Sequence, residues 1–294
     1  MLDYRYHTFM ALAECLNYTK TAKKLNMTQP AVTKHIQYLE ELHGVQLVQY
    51  QDRVLTLTNK GKLLLSHLLK LQSEINVIVE QLEQKEEANL TIGASKTIGE
   101  FYLLPQLTSL KTKIQIPSPS LIVDHTNNLL QMLDQHEIDL AFISGPFEPK
   151  NYYVQPFLHH PVVLVCHPDH PFAHQTVSLE DLINEHLLLR ENGAGMLDTL
   201  SNFLKEESFN LQQFKHRTTI GNIHLAKNLI KAKQGIGFFY QMAVKDELER
   251  NELAPIYLEH GEWRQSFYIV THPEYLALDR VKHLVQAIPT LIEE

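Results

Sequence analysis

Over the first sixty residues the apolar positions recur at helical spacing. Phe9, Leu12, Ala13 and Leu16 share one face between residues 3 and 16. A second short helix, TKTAKKLN, is predicted next, with Thr19 as its cap and Ala22 and Leu25 turned inward. Asn26 and Met27 make a tight turn. Thr28 then caps a third helix that stops at Gly44, with Pro30 in its first turn, where no backbone donor is lost. At about 100° per residue, Val32, Ile36 and Leu39 fall on one face of this helix and Pro30, Thr33, Lys34 and Gln37 on the other. The run VQLVQYQDRVLTLT reads as two strands, 45–50 and 53–57, around a Gln51-Asp52 turn.

The period then changes. Leu64, Leu68, Leu71, Ile75, Ile78 and Leu82 are spaced by alternating fours and threes in a stretch with no proline and no glycine after Gly61. That is a heptad seam on one long helix over 59–87, and such a stripe asks to be buried against a second chain or against its own domain. From residue 89 the pattern alternates again. NLTIGAS is followed by the helix-like IGEFYLLPQLTSLK, SLIVDH by NNLLQMLDQHE, and IDLAFIS is a continuous apolar strand. VVLVCHP, HLLLREN and GIGFFYQ are further strand candidates. The order predicts an α/β, doubly wound sheet behind a helical head.

Composition narrows the function. At 294 residues, and about 100–200 per domain, the chain has room for about two domains. Hydrophobic residues at 44% and charged residues at 20% exclude disordered and fibrous classes. No apolar run approaches the roughly 20 residues of a membrane span, so no membrane partner is expected. MLDYRYHTFM lacks the basic and apolar regions of a secretory signal, and Cys15 and Cys166 lie far apart, so a reducing cytoplasm is the expected compartment. The net charge is −8, but residues 1–62 hold eight Lys/Arg against five Asp/Glu, a local +3 that leaves −11 for the remainder. A basic head on an acidic body predicts that one part meets a polyanion and the other does not.

Two short helices, a tight turn and a polar-faced third helix make a helix-turn-helix, whose last helix enters the major groove of double-stranded DNA. Thr19, Thr28, Gln29, Pro30, Thr33, Lys34 and Gln37 are the candidate DNA-binding residues, and the hairpin behind them reads as a wing whose Arg53 can reach a phosphate or the minor groove. A solvated helix face is the competing reading of the same residues. In the α/β part, ligands bind outside the carboxyl ends of strands, where helix N-termini also point. Four junctions meet that description: Ser95-Lys96-Thr97; His125-Thr126-Asn127; Asn192-Gly193-Ala194-Gly195; and Gly221-Asn222-Ile223-His224. Ordinary helix caps are the competing reading of each. Ser95, Lys96, Thr97, His125, Thr126, Asn192, Gly193, Asn222 and His224 are the candidate effector-binding residues.

Other chemistry is thin. The 17 histidines include a cluster at His159, His160, His167, His170 and His174, but no spacing sets two on a helix face with a carboxylate, and surface or capping roles are expected. There is no phosphate-binding glycine loop, no dinucleotide fingerprint and no serine elbow, so neither cofactor nor catalysis is expected. An enzyme, or a small-molecule-binding module on the same fold, is the alternative class.

The stretch FMALAECLNYTKTAKKLNMTQPAVTKHIQYLEELHGVQL, with LTLTNKG behind it, resembles the N-terminal domain of LysR-type transcriptional regulators. LTIGASKTIGEFYLLP, IDLAFISGP, HPDHPFA, KAKQGIGF and FYIVTHPEYL are similar to the effector domain of that family. The resemblance implies a winged helix-turn-helix over 1–58, a linker and dimerisation helix over 59–88, and a periplasmic-binding-protein-like effector domain over 89–294. Its lobes would take 89–161 with 267–294, and 162–266. It also implies a homodimer or homotetramer reading a dyad-symmetric operator, a small metabolite between the lobes, and RNA polymerase as a further contact. Two departures matter. Gln37, Tyr38, Val48, Gln49 and Tyr50 replace positions often basic or aromatic in the family, which predicts weaker non-specific DNA binding and a shallower salt dependence. Many members carry Arg-Glu-Pro-Gly-Ser-Gly-Thr-Arg at an anion site. Here Ala194, Met196 and Leu197 stand for the Ser, Thr and final Arg, which predicts a more apolar pocket and a larger or less charged effector.

Overall fold

The computed structural model describes residues 3–51, 54–83, 90–103, 119–149 and 151–292. They form two compact units, an N-terminal one within residues 1–85 and a C-terminal one within 86–294 that excludes the short stretch 134–136.

In the N-terminal unit, α1 (Tyr4–Cys15), α2 (Tyr18–Lys24) and α3 (Gln29–His43) precede an antiparallel hairpin of β1 (Val48–Gln51) and β2 (Val54–Leu57), and α4 (Asn59–Glu83) follows. Phe9, Leu12, Ile36, Leu39, Leu47, Leu55 and Leu68 make the core. Each such side chain contributes about 1.5–3 kcal/mol when fully removed from water. The inward face of α3 is as predicted, with Val32, Ile36 and Leu39 buried. Thr28 accepts the Ala31 N–H at its start, and Gly44 closes it in the left-handed conformation at φ 65°.

Three local expectations change. Leu16 does not join the inner face of α1. It is the helix's left-handed cap, 41% exposed, because the chain must reverse there into α2. The cap of α2 is Asn17 rather than Thr19: its side-chain oxygen accepts the Lys20 N–H at 3.0 Å, leaving Thr19 exposed within the helix. The first wing strand starts at Val48 rather than at 45, since the Glu40 carboxylate accepts the N–H groups of Leu47 and Val48 at 2.7 and 3.2 Å and holds the chain at the helix before pairing begins. Asp52 and Arg53, the predicted wing tip, lie outside the described residues. The heptad seam of α4 divides. Leu68 is buried in the unit's own core with Leu64 against it, whereas Leu71, Ile78 and Leu82 are exposed and Ile75 is half-buried.

In the C-terminal unit, β3 (Thr91–Ser95), β4 (Ser120–Asp124) and β5 (Leu140–Ser144) are parallel, with β3 central. The long strands β6 (Tyr153–Cys166) and β12 (Trp263–Thr271) pair antiparallel along nearly the whole of β12. The C-terminal half of β12 joins β5, and the C-terminal half of β6 joins β10 (Gly237–Tyr240) and β11 (Ala254–Leu258), with the two-residue β7 (Thr176–Val177) at the far edge. A separate parallel pair, β8 (His186–Arg190) and β9 (His216–Ile220), lies on this second side, bridged to the main sheet's neighbourhood through Leu187 and Ile236. Helical elements are a π-helical turn over Ile98–Leu103, α5 (Thr126–Asp134), α6 (Gly195–Glu206), α7 (Ile223–Lys231), α8 (Lys245–Glu249) and α9 (Asp279–Ile292).

The shared strands therefore carry two lobes. One centres on Leu129, Leu133, Ile138, Ala141, Ile143 and Val270, and the other on Val165, Leu188, Ile230, Phe239, Val244 and Leu253. The sheet is mixed rather than wholly doubly wound, because β12 enters antiparallel beside β5. The strand around 162–166 extends back to Tyr153, through Pro156 and Pro161, neither of which has an N–H for the ladder. Pro156 sits opposite Tyr268 at the β-bulge between Phe267 and Tyr268, where the ladder is already irregular. Of the helix predicted from IGEFYLLPQLTSLK, the first turn is π-helical and residues 104–111 lie outside the described ones.

Because Leu47 is 1% exposed, Glu40→Ala leaves a buried N–H without its acceptor. The expected loss is about 1–3 kcal/mol in the N-terminal unit, read from chemical denaturation of the full chain. An unchanged midpoint would show that water replaces the carboxylate.

Candidate functional site

On α3, the residues opposite its core face are available to solvent: Gln29, Pro30, Lys34 and Gln37 are exposed and Thr33 is half-buried, its hydroxyl donating to the Gln29 carbonyl at 3.1 Å. Thr28 is exposed at the helix start. A cation that the spacing did not reveal stands beside them. The Arg5 guanidinium of α1 lies 3.9 Å from the centroid of the exposed Tyr38 ring, with Asp3 bonded to it at 2.9 Å. Arg5 and Tyr38 are 33 positions apart, so only the packing of α1 on α3 brings them together.

In the C-terminal unit, parallel pairing sets the carboxyl ends of β3, β4 and β5 on one edge. Ser95, Lys96 and Thr97 leave β3, Asp124, His125 and Thr126 link β4 to α5, and Ser144 ends β5. Arg190 ends β8 across from them, and Ala194, Gly195 and Met196 open α6. These eleven residues line one cavity of about 20 Å³ between the lobes, room for about one water. Three of the four predicted junctions thus converge. The third contributes Ala194, Gly195 and Met196 to the wall, while Asn192 is exposed and Gly193, at φ 86°, approaches His125. The fourth does not line the cavity. Asn222 caps α7 by accepting the Leu225 N–H, and His224 sits against Glu100 at 4.0 Å and the Phe101 ring at 5.9 Å.

The wall is more polar than the Ala194, Met196 and Leu197 departures predicted, because its charge comes from Arg190 at the head of the same stretch and from Lys96. Arg190 is 7% exposed and clasps the neighbouring Glu191, Nε to Oε2 at 2.9 Å and Nη2 to Oε1 at 3.0 Å. Lys96, from the other lobe, donates to the same Oε1 at 3.1 Å, with His125 Nε2 at 3.7 Å. Burial alone would push the Glu191 carboxyl up. Hydrogen bonds from Arg190, from its own backbone and from Lys96, with the Arg190 charge, outweigh that and hold it at about 2. Asp124 accepts the His125 N–H at 2.7 Å and the Asn128 side chain at 3.1 Å; burial opposes these bonds, yet its carboxyl stays below the usual range. Thr126, 4% exposed, donates to the Ser144 carbonyl at 3.0 Å.

The lobes meet backbone to backbone here. A Cβ on Gly145 would lie 2.8 Å from the Gly195 carbonyl oxygen, and one on Gly195 would run into the Ser144 carbonyl. Only glycine admits this approach. Glu191, Ser144 and Arg190 were not among the sequence candidates. Glu191 and Arg190 flank the predicted Asn192-Gly193 junction, and Ser144 ends the IDLAFIS strand, so their positions were legible though their roles were not.

Larger depressions lie elsewhere. One of about 400 Å³ is lined by His167, Asp169, His170, Glu185, His186 and Lys233, among others. The histidines there are engaged: His167 Nδ1 accepts the Asp169 N–H at 3.0 Å and His170 pairs with Glu185 at 3.1 Å. His159 bonds Ser266, and His160 accepts the Met242 N–H at 2.9 Å, burial pushing it down to about 4. Among the described residues no group of three His, Cys, Asp or Glu could hold a metal ion. Among them too, no helix is long and apolar enough to cross a membrane.

A family model described as LysR substrate binding domain matches residues 83–291, and one described as bacterial regulatory helix-turn-helix protein, lysR family, matches residues 5–62. The chain belongs to the LysR family of transcriptional regulators. Its relatives include the RuBisCO operon transcriptional regulator of Allochromatium vinosum, 27% identical over 270 residues, which are 89% of this chain and 87% of that one. The fold is shared with an H2O2-bound cysteine-to-serine mutant of Corynebacterium glutamicum OxyR at TM-score 0.64 and 22% identity, covering 99% of this chain and 92% of that one. It is shared as well with the Synechocystis CcmR regulatory domain in complex with 2-PG, at TM-score 0.59 and 21% identity, over 69% of this chain and 96% of the other. The LysR-type regulator is thus a helix-turn-helix unit joined to an effector-binding domain.

Glu191 ties its charge to stability. Its folded value of about 2 lies below the ordinary 4.5, so its contribution is full above pH 4.5 and is lost as pH falls toward 2. Thermal unfolding over that window should show a shallower pH dependence in Glu191→Gln than in the parent chain; superimposable profiles would mean the pairing carries no net stability.

Proposed function

We propose that this LysR-type regulator reads a dyad-symmetric operator as a homodimer or higher homo-oligomer, and that a small metabolite bound in the cleft between its C-terminal lobes modulates it. The observation that carries the reading is the convergence of Ser95, Lys96, Thr97, His125 and Thr126 with Arg190 on one inter-lobe cavity, in the same chain as a solvent-facing Gln29–Gln37 helix face. The exposed Leu71, Ile78 and Leu82 of α4 support pairing of two chains, since an apolar stripe of that length is unfavourable in water. Two copies of α3 related by a two-fold axis would then meet two half-sites. The lobes take 89–161 with 267–294, and 162–266, with 1–58 as the DNA-binding head and 59–88 as the linker. Thr19, Thr28, Gln29, Pro30, Thr33, Lys34 and Gln37, with Arg53 of the wing, are the residues that would contact the duplex. Such a regulator works in the cytoplasm and acts through DNA bending or contact with RNA polymerase.

Ligand control requires different affinity of the metabolite for two arrangements of the lobes. The complex of the CcmR regulatory domain with 2-PG supports a small molecule as the signal. The likeness to H2O2-bound OxyR does not bring a thiol switch with it. The two cysteines here fall in separate units, and Cys166 is fully buried, its thiol pushed up to about 12 by burial and by Glu185.

Gln29→Ala with Thr33→Ala should erase sequence preference in footprints on DNA flanking the gene while leaving the oligomeric mass unchanged. A footprint identical to the parent's would remove α3 as the reading helix. Thermal-shift screening of metabolites identifies the effector. Thr126→Val should then weaken the dose response of operator binding at least tenfold with basal operator affinity intact, and an unaltered dose curve would move the effector out of this cleft.

A further inference from the structure

Both cations of the cleft are already used by the protein itself. Arg190 spends Nε and Nη2 on the Glu191 carboxylate, and Lys96 reaches the same carboxylate from the opposite lobe. The cavity they border holds about 20 Å³, room for about one water, so a metabolite has to open it or displace a group that closes it. Arg190 is held in the wall at 7% exposure, and the Ser144–Gly145 backbone is packed on Gly195. Glu191 sits in the turn between β8 and α6, followed by an exposed Asn192 and a glycine at φ 86°.

Glu191 also resembles a ligand in its chemistry. A carboxylate gripped by an arginine fork on one side and an ammonium on the other is how proteins bind carboxylate and phosphate groups. Without it, Asp124 would be the one carboxylate in the cavity wall against Lys96, Arg190 and the starts of α5 and α6.

We propose that Glu191 is an internal counterion that competes with the effector, and that the effector carries a carboxylate or phosphate group which takes Lys96 and Arg190 from it. The inference rests on the cleft reading above and adds to it a ligand class and a gate. Displacement of Glu191 breaks the Lys96–Glu191 bridge between the lobes and replaces it with a bridge through the ligand. The change in inter-lobe contacts is the signal, and affinity for the anion is set lower than Lys96 and Arg190 alone would give. Selectivity follows: only an anion that offers more contacts than one carboxylate can displace a group held at such high local concentration.

The test uses the full chain with inorganic phosphate and oxalate as probes, titrated by calorimetry. Glu191→Gln keeps the side-chain shape and removes the charge. It should bind one or both probes at least tenfold more tightly than the parent, and the gain should vanish in the double variant Lys96→Gln/Glu191→Gln. Equal or weaker binding by Glu191→Gln overturns the competition, as does a gain that survives in the double variant. Circular dichroism of each variant checks that the fold is intact. Failure here is separable from failure of the cleft itself. If Glu191→Gln gains nothing but Thr126→Val still blunts the metabolite's effect on operator binding, the cleft stands and the gate falls. If Thr126→Val is silent too, both fall.

Discussion

The antiparallel pairing of β6 with β12 is the constraint on which the C-terminal unit depends. One long ladder runs from Tyr153 against Thr271 to Val162 against Trp263, and each lobe is built onto one half of it. Parallel strands β3, β4 and β5 are reached through β12, so their carboxyl ends share an edge. On the other half, β10 and β11 add to β6, and β8 ends in Arg190 facing that edge. Two lobes sharing two strands can change their closure by modest twisting at the ladder without losing either core, which is a mechanical requirement for a ligand-responsive cleft.

Within the cleft, electrostatics and backbone packing act together. Gly145 and Gly195 let two main chains touch, and this proximity brings Lys96 within 3.1 Å of a carboxylate anchored on the opposite lobe. Arg190 is buried and pre-positions its partner, so removing one member of this cluster leaves a charge that water cannot fully solvate. The same burial raises the cost of leaving either charge unpaired, so exchange of one anion for another is favoured over simple opening.

The head illustrates a different balance. Its helices are held by caps and a compact apolar core, and the polar face of α3 is what that core leaves over. Glu40 shows how closely this is arranged, since one carboxylate on the inner side of the helix anchors the first residues of the wing. The α4 seam serves two purposes along its length. Leu68 completes the head's own core, while Leu71, Ile78 and Leu82 remain at the surface.

Period and punctuation in the sequence were enough for most elements and for a helical head before an α/β body, while the two lobes were implied by the family resemblance. The 3.6-residue spacing of Val32, Ile36 and Leu39, the Thr28 and Gly44 boundaries of α3, and the unbroken apolar run of β5 are local properties, set by neighbours a few residues away. They also placed Ser95, Lys96, His125 and Thr126 at strand ends, from which a shared site could be anticipated. The sequence by itself did not decide the cap of α2, where Asn17 and Thr19 are both competent and helix start geometry chose, nor the passage of β6 through Pro156, which falls beside a bulge that leaves Phe157 of β6 without an opposite residue. Tertiary structure alone brought Arg5 over Tyr38, Lys96 onto Glu191 from 95 positions away, and Gly145 against Gly195. Those contacts depend on where distant strands cross, and no local pattern encodes a distance between residues that meet only after the sheet has formed.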